Sequence, residues 1–534
     1  MDVEAMAEQT VQANRREKVS VFLKKHEQWS AWAFYTLMSF LLLRFGVGPV
    51  SQNMDFRCEY DLNIYYLIGN AWMQGVVPYS ELSDLKGPLT FLQHGLGSLL
   101  TPGSLCGIAL LHAPILGIML LYTLKLCSLY IRRSSAWAIT GVFFIFNLSY
   151  GANPAELTTT LQMVVLYHLL VWARGKRNFF CDRHFFLIGL SIAVALLTKY
   201  NQLVFFVPAS LLMLWVHRHR VARALGLMLL GFVPLTAGFI LCLHLQGALG
   251  AMWEEYIMTA IRYGTPAWAD CALMTRHIEL FGIIFPETLF KTIPNRWLIL
   301  PGMLLFSLWV IPARRCQPAR RTSTLLTLLA ALLLQVYATF RGTYAFQHYY
   351  FCFYPYAALS ILGMALLLHR FIRVPRVLSL LRGAGLACPL GTLCLALSIP
   401  VLVLNFKPHK GVGELRAHVA AVADHLRQHP KDYLITEPML FVSIYRHTQT
   451  TPPILHFTPQ LTPEGKSIHE QELCSYIRQH RPRYLVGHSQ ALQDTETLCH
   501  AAGVTYRPIP TPGNPPSPPP TAYLPMPQLF ERVD

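Results

Sequence analysis

Long apolar runs recur along almost the whole chain, and that repetition limits how it can fold. They lie at 29–47, near 88–100, and at 105–131, 135–150, 157–173, 184–198, 202–216, 225–245, 297–312, 323–340, 349–368 and 384–404. A helix crossing a bilayer needs roughly 20 predominantly apolar residues. No single soluble core buries so many such segments, so the pattern predicts a polytopic α-helical membrane protein. The run at 88–100 is the weakest and reads as a broken or re-entrant piece leading into the helix at 105–131. That leaves about eleven crossings. The first crossing follows a polar segment, 1–28, which carries Arg15, Arg16, Lys18, Lys24 and Lys25. A basic lead of this kind suits a helix on the membrane surface ahead of an uncleaved anchor.

Composition agrees and adds a puzzle. Of 534 residues, 53% are hydrophobic and 13% charged, against about 25% charged in soluble domains. Yet Lys and Arg number 44 against 28 Asp and Glu, a net +16. A basic chain raises the question of nucleic acid. The positions of the charges answer it. With the N-terminus cytoplasmic, the clusters at Arg132–Arg133, Arg174–Arg183, Arg218–Arg223, Arg314–Arg321 and Arg370–Arg382 all fall on the cytoplasmic side. That is the positive-inside pattern of a multi-pass membrane protein. The clusters are short loop flanks rather than one binding face, so no nucleic-acid partner is expected. Twelve cysteines without a CxxC pair read as small apolar residues rather than metal ligands.

The opposite side receives outer loops at 48–87, 246–296 and 341–348, and everything after about 405. Residues 29–404 form the membrane domain. From 405 to 507 short apolar segments alternate with amphipathic ones: 412–428 as helix, 433–435 as strand, 468–480 as helix and 484–486 as strand. This alternation predicts a small α/β domain outside the cytoplasm. Residues 508–534 are a Pro-rich, extended tail.

The first outer loop carries the most chemistry. Residues 61–74 place Leu62, Tyr65, Tyr66, Gly69 and Met73 near one helix face, with Asp61 at the N-terminal end. There a carboxylate is favoured by the helix dipole, so Asp61 is either a plain cap or a general base. The sequence continues through Gly75, Pro78, Tyr79 and Asp84 to Lys86-Gly87-Pro88-Leu89. This string resembles the first periplasmic loop of bacterial GT-C glycosyltransferases. The branch is that of the dolichyl-phosphate-mannose protein mannosyltransferases and the aminoarabinose lipid A transferase. The resemblance spans roughly 30–404. It implies many membrane helices, a catalytic acid after the first of them, a polyprenyl-phosphate sugar donor, and often a C-terminal periplasmic domain.

Further positions fit it. Glu156, in Asn153-Pro154-Ala155-Glu156, matches an acidic residue of the second outer loop and is the other candidate catalytic carboxylate. It can equally be a helix cap. Lys199 interrupts an apolar run at the outer face, where an ionisable side chain is a functional candidate by default. Arg341, followed by His348 and Tyr349, resembles the family's late outer loop. Arg suits phosphate recognition. The expected assignment has Asp61 and Glu156 as catalytic acids and Lys86, Lys199 and Arg341 around the donor phosphate. Tyr66, Tyr79, Asp84, His348 and Tyr349 would contact substrate. Many relatives have an Asp-Glu pair where this chain has Asp61-Leu62, which leaves Asp55 and Glu59 as alternative acids. That departure weakens the case for a divalent cation without removing it. The expected partners are a polyprenyl-phosphate-linked sugar, a lipid, glycan or protein acceptor, and membrane lipids. A transporter or flippase of lipid-linked saccharides would share the helices and the charges. It would also be expected to show repeated halves with matching broken helices, which the sequence lacks.

Overall fold

The computed structural model describes residues 27–45, 50–51, 61–147, 153–175, 181–259, 261, 318–340, 351–371, 412–436, 441–457, 463–488, 499–500, 502–509 and 527–533. Asp55, Glu59, Arg341, His348 and Tyr349 lie outside these residues, as do the expected runs at 297–312 and 384–404.

Among the described residues, the membrane part is built from helices joined by turns. Helix α1 covers 27–45. It is followed by α2 (Asp61–Met73), α3 (Pro88–Leu100), α4 (Cys106–Ser128), α5 (Arg133–Asn147), α6 (Ala155–Ala173), α7 (Asp182–Thr198), α8 (Phe206–Val216) and α9 (Val221–Leu245). A short helix α10 (Leu249–Met252) runs into a π-helical turn, Trp253–Met258. After 262–317 come α11 (Pro318–Phe340) and α12 (Tyr354–Phe371). Among the described residues, three helices are long and apolar enough to cross a membrane: Cys106–Ser128, Arg218–Leu245 and Pro318–Thr339. Only 17% of the apolar window of the second is buried. Leu229, Leu230, Val233, Ile240 and Leu241 stand exposed along it, as a lipid-facing surface requires.

The weak run at 88–100 forms its own 13-residue helix, α3, with Pro88 in the first turn. Proline is tolerated there because that amide has no helical acceptor. Helix α2 buries more than the one face expected from sequence: Leu62 to Gly69, Ala71 and Trp72 are all buried. It crosses α3 at a glycine pair. A Cβ on Gly69 would sit 2.4 Å from Gly95 N, and one on Gly95 would sit 2.6 Å from Gly69 O. Two backbones approach this closely only where both residues lack side chains.

The C-terminal residues form α13 (Val412–Arg427), β1 (Tyr433–Ile435), α14 (Ser443–Thr448), α15 (Pro463–His480), β2 (Tyr484–His488), β3 (Tyr506–Ile509) and β4 (Pro527–Arg532). They make one four-stranded sheet in the order β1-β2-β4-β3. β1 and β2 are parallel, and β4 runs antiparallel to both β2 and β3. Leu434, Leu485, Val486, Leu529 and Phe530 are buried on the sheet, with Val422, Leu426, Leu473 and Ile477 from the helices. The two predicted strands pair as neighbours. β4 corrects the reading of 508–534 as an extended tail. Its apolar pair Leu529-Phe530 is too short to stand out after so many prolines, yet it fills an interior place in the sheet.

Candidate active site

Asp61 opens α2, and Tyr65 lies one turn further on. The Tyr65 hydroxyl donates to Asp61 Oδ2 at 2.9 Å. The i,i+4 spacing brings the two side chains together on one face. The chain then turns at Gln74–Gly75 and reaches Tyr79, which sits at φ +69° although it is not glycine. Such a residue stores strain that its surroundings must hold in place. Two contacts do so. Tyr79 N–H donates to Leu82 O at 2.8 Å, and the buried Tyr79 hydroxyl donates to Lys86 O at 2.7 Å. Tyr79 therefore shapes the backbone from which Asp84 and Lys86 project.

Lys86 Nζ lies 3.7 Å from Asp84 Oδ1, with 17% and 16% of the two side chains exposed. It also stands 5.3 Å from the centre of the Tyr65 ring, in reach of a cation–π contact. Burial pushes the Asp84 carboxyl up to about 6; Lys86 pulls it down and Asp61 pushes it up. The three groups thus sense one another.

Lys199 arrives from the other side. It ends α7, and its N–H closes the last turn on Ala195 O at 3.0 Å. The open carbonyls of that helix end need partners. One comes from the π-helical turn, where Tyr256 donates to Leu196 O at 2.6 Å and accepts from Tyr200 N at 3.2 Å. A second comes from the first loop, where Gly87 N donates to Thr198 O at 3.0 Å. A Cβ on Gly87 would sit 2.2 Å from Leu197 O, so only glycine allows this approach. The bond joins the chain beside Lys86 to the chain beside Lys199. The Lys199 ammonium is pulled down to about 8, by burial first and the Lys86 charge second, while Asp61 pulls the other way. Two cations and two carboxylates therefore share one end of the bundle.

Glu156 is placed differently. It lies in the first turn of α6 and is fully buried, with Oε1 3.3 Å from Nδ1 of buried His112 on α4. The rings of His112 and His94 are 5.8 Å apart, and those of His94 and Tyr65 are 5.5 Å apart. A buried polar row thus separates Glu156 from Asp61. Tyr66 points away from Lys86. Its hydroxyl accepts from Gly103 N at 2.8 Å, and the Arg446 guanidinium lies 6.0 Å from its ring centre. Asn153 Oδ1 accepts from Ala155 N at 2.9 Å, an Asx turn that leads into α6.

Sequence reasoning did not single out Arg446. This side chain of α14 is only 1% exposed and enters the membrane domain. Its Nε donates to Asn63 Oδ1 at 3.0 Å and its Nη1 to Gly103 O at 2.9 Å. Nothing local marks it, since an Arg in Ser-Ile-Tyr-Arg-His reads as surface. Among the described residues, no three His, Cys, Asp or Glu side chains are grouped to hold a metal ion. Lys86 already lies against the Asp84 carboxylate. These residues alone do not fit a divalent cation.

The chain shares its fold with a solved structure, ArnT, and among the described residues three helices are long and apolar enough to cross a membrane. The supporting match is the crystal structure of ArnT from Cupriavidus metallidurans bound to undecaprenyl phosphate, with a TM-score of 0.55 and 14% sequence identity. The match covers 96% of this chain and 97% of that one. The apo structure of the same ArnT gives a TM-score of 0.47 at 14% identity, covering 96% and 98%. The Archaeoglobus fulgidus oligosaccharyltransferase, solved with Zn and sulfate, gives 0.48 at 13% identity, covering 88% and 69%. No protein-family model matches the chain, and no curated protein does.

Proposed function

We propose that this chain is an integral membrane glycosyltransferase. It takes a sugar from a polyprenyl-phosphate donor and moves it to an acceptor hydroxyl on the extracytoplasmic face. The observation that carries this reading is the convergence of Lys86 and Lys199 with Asp61 and Asp84 at one end of an apolar bundle. That grouping suits a substrate with an anionic phosphate, a neutral sugar and a lipid tail. The likeness to a protein solved with undecaprenyl phosphate supports it. Eleven crossings, a cytoplasmic N-terminus and an extracytoplasmic C-terminal domain belong to the same proposal. The count follows from the apolar runs and the orientation from the Lys and Arg placement.

The chemistry is a single inverting displacement. The acceptor oxygen attacks the anomeric carbon as the bond from that carbon to the phosphate oxygen breaks. The bonding pair leaves on the phosphate. Lys86 and Lys199 stabilise that growing charge in a largely buried site, where electrostatic contacts are worth more than in water. Arg341 is assigned to the same task from sequence. Asp61, held by Tyr65, takes the acceptor proton. Asp55 and Glu59 are the alternative bases, and His348 and Tyr349 remain candidate substrate contacts. Glu156 stays a candidate acid, although its buried pairing with His112 suits a structural role equally. Tyr79 and Tyr66 act by shaping the loop and docking the C-terminal domain.

The test uses purified full-length chain and a radiolabelled polyprenyl-phosphate sugar. The wild type transfers label to an envelope extract, and Lys86→Ala with Lys199→Ala loses transfer together with affinity for polyprenyl phosphate. Movement of the lipid-linked sugar across vesicles without transfer would instead favour a flippase.

A further inference from the structure

The loop bearing Asp84 and Lys86 is pinned at both ends. At its far end Gly87 is bonded to Thr198. At its near end Ser83, only 2% exposed, is held by another part of the chain. Ser83 N–H donates to Leu455 O at 3.0 Å, and its hydroxyl donates to Glu255 Oε2 at 2.8 Å. Glu255 Oε1 lies 3.3 Å from His456 Nε2. The contacts close a ring: Ser83 to Leu455, the adjoining His456, Glu255, and back to Ser83. Three separate stretches of chain meet there: the first outer loop, the π-helical turn and the C-terminal domain.

His456 is itself firmly held. Glu472 on α15 takes both its Nδ1, at 2.7 Å, and its backbone N–H, at 2.9 Å. His469 Nδ1 lies 2.6 Å from His456 O. The imidazole therefore faces Glu255 from the π-helical turn and Glu472 from α15, while His469 of α15 holds the His456 backbone carbonyl. The two carboxylates outweigh burial and hold it charged, with its pKa raised to about 9. An imidazolium between two carboxylates donates to both. No neutral side chain of that size reproduces both bonds.

We propose that His456 is a positioning residue of the membrane site. Through Glu255 and Ser83, the C-terminal domain fixes the loop that presents Asp84 and Lys86. This rests on the glycosyl-transfer reading for its effect on rate, but not for its effect on the loop. Docking of the domain is a separate matter, carried by Arg446 on the Asn63–Gly103 side. Loss of the His456 side chain therefore removes the Glu255 limb and leaves the Ser83 N–H to Leu455 O bond, which loosens the loop without freeing the domain.

The experiment is a double-mutant cycle on full-length protein in nanodiscs, with His456→Gln, Ser83→Ala and the two combined. Hydrogen exchange of the 79–87 amides and of the segment around Arg446 is followed beside sugar-transfer kinetics. His456→Gln should raise exchange in 79–87, leave the Arg446 segment protected, and lower kcat on the order of tenfold. Ser83→Ala should do the same. The double variant should be no worse than the more affected single one, because both break the same ring. Unchanged exchange in 79–87, or effects of the two substitutions that multiply, would overturn the proposal. If the wild type transfers no sugar, the functional reading fails on its own, and the exchange data still decide whether His456 holds the loop.

Discussion

Gly87→Ala tests the contact that brings the two lysines together. The added Cβ would lie 2.2 Å from Leu197 O, 2.4 Å from Leu197 C and 2.9 Å from Thr198 N. All three are backbone atoms at a helix end, so none can rotate away. Reaching a tolerable 3.0 Å means opening the gap by about 0.8 Å. That stretches the 3.0 Å bond from Gly87 N to Thr198 O, at about 1 kcal/mol. Steric overpacking adds about 1–3 kcal/mol. In the proposed reaction, the cost to catalysis comes from Lys86 moving away from the donor phosphate. At an effective dielectric of about 20, taking a charge pair from about 4 to 5 Å loses about 0.8 kcal/mol, or roughly fourfold. Misplacement by about 1 Å can cost up to a hundredfold. The expected kcat/KM therefore falls between about fourfold and a hundredfold. Gly75→Ala is the control. Gly75 has φ +96° with nothing within 4 Å of an added Cβ, so it should lose about 1 kcal/mol of stability and keep its transfer rate. Steady-state kinetics and thermal midpoints of the two variants decide the matter. Gly87→Ala within twofold of wild type would refute the claim that this contact sets the site.

Other predictions follow from the same geometry. The Asp84 carboxyl is raised to about 6, so its contribution to stability is full below its unfolded pKa of about 4 and is lost as pH rises through about 6. Asp84→Asn should therefore gain thermal midpoint over wild type at pH 8 and lose that advantage at pH 4. Lys199 is lowered to about 8, so the free enzyme loses this cation as pH rises through that value. An alkaline fall in kcat/KM near 8 should follow, and Lys199→Arg, which stays charged, should move it upward. Arg446→Ala leaves Asn63 Oδ1 and Gly103 O without their donor, at about 1–3 kcal/mol each. Limited proteolysis should then release the 412–533 region. Arg446→Lys should rescue it only partly, because an ammonium lacks the guanidinium fork.

What could be read in the sequence depended on range. Apolar runs and Lys–Arg placement are local, and they give a helical membrane protein directly. The loop from Asp61 to Pro88 is also local, so its candidate residues were legible as a set. The roles of Tyr66 and Tyr79 were not, because they depend on Gly103, on Arg446 and on a positive φ. The Glu156–His112 pair joins two helices, and either residue alone reads as a cap or an isolated polar side chain. Arg446 meets Asn63 across 383 residues of chain, and His456 meets Glu255 across 201. No spacing rule connects positions that far apart. β4 was hidden because Pro527–Arg532 follows a Pro-rich stretch, has no β-branched residue and carries one adjacent apolar pair instead of the alternation that marks strands in sequence.

The most direct test of the account is sugar transfer by the purified chain in nanodiscs, comparing wild type with Asp61→Asn at equal folding and equal polyprenyl-phosphate binding. Labelled sugar should pass from the polyprenyl-phosphate donor to an envelope acceptor with the wild type. With Asp61→Asn it should fall by about 10²–10⁴, the usual contribution of a general base. Undiminished transfer by Asp61→Asn would remove Asp61 from the mechanism and turn attention to Asp55 and Glu59. No transfer by the wild type from any polyprenyl-phosphate sugar would contradict the proposed activity itself.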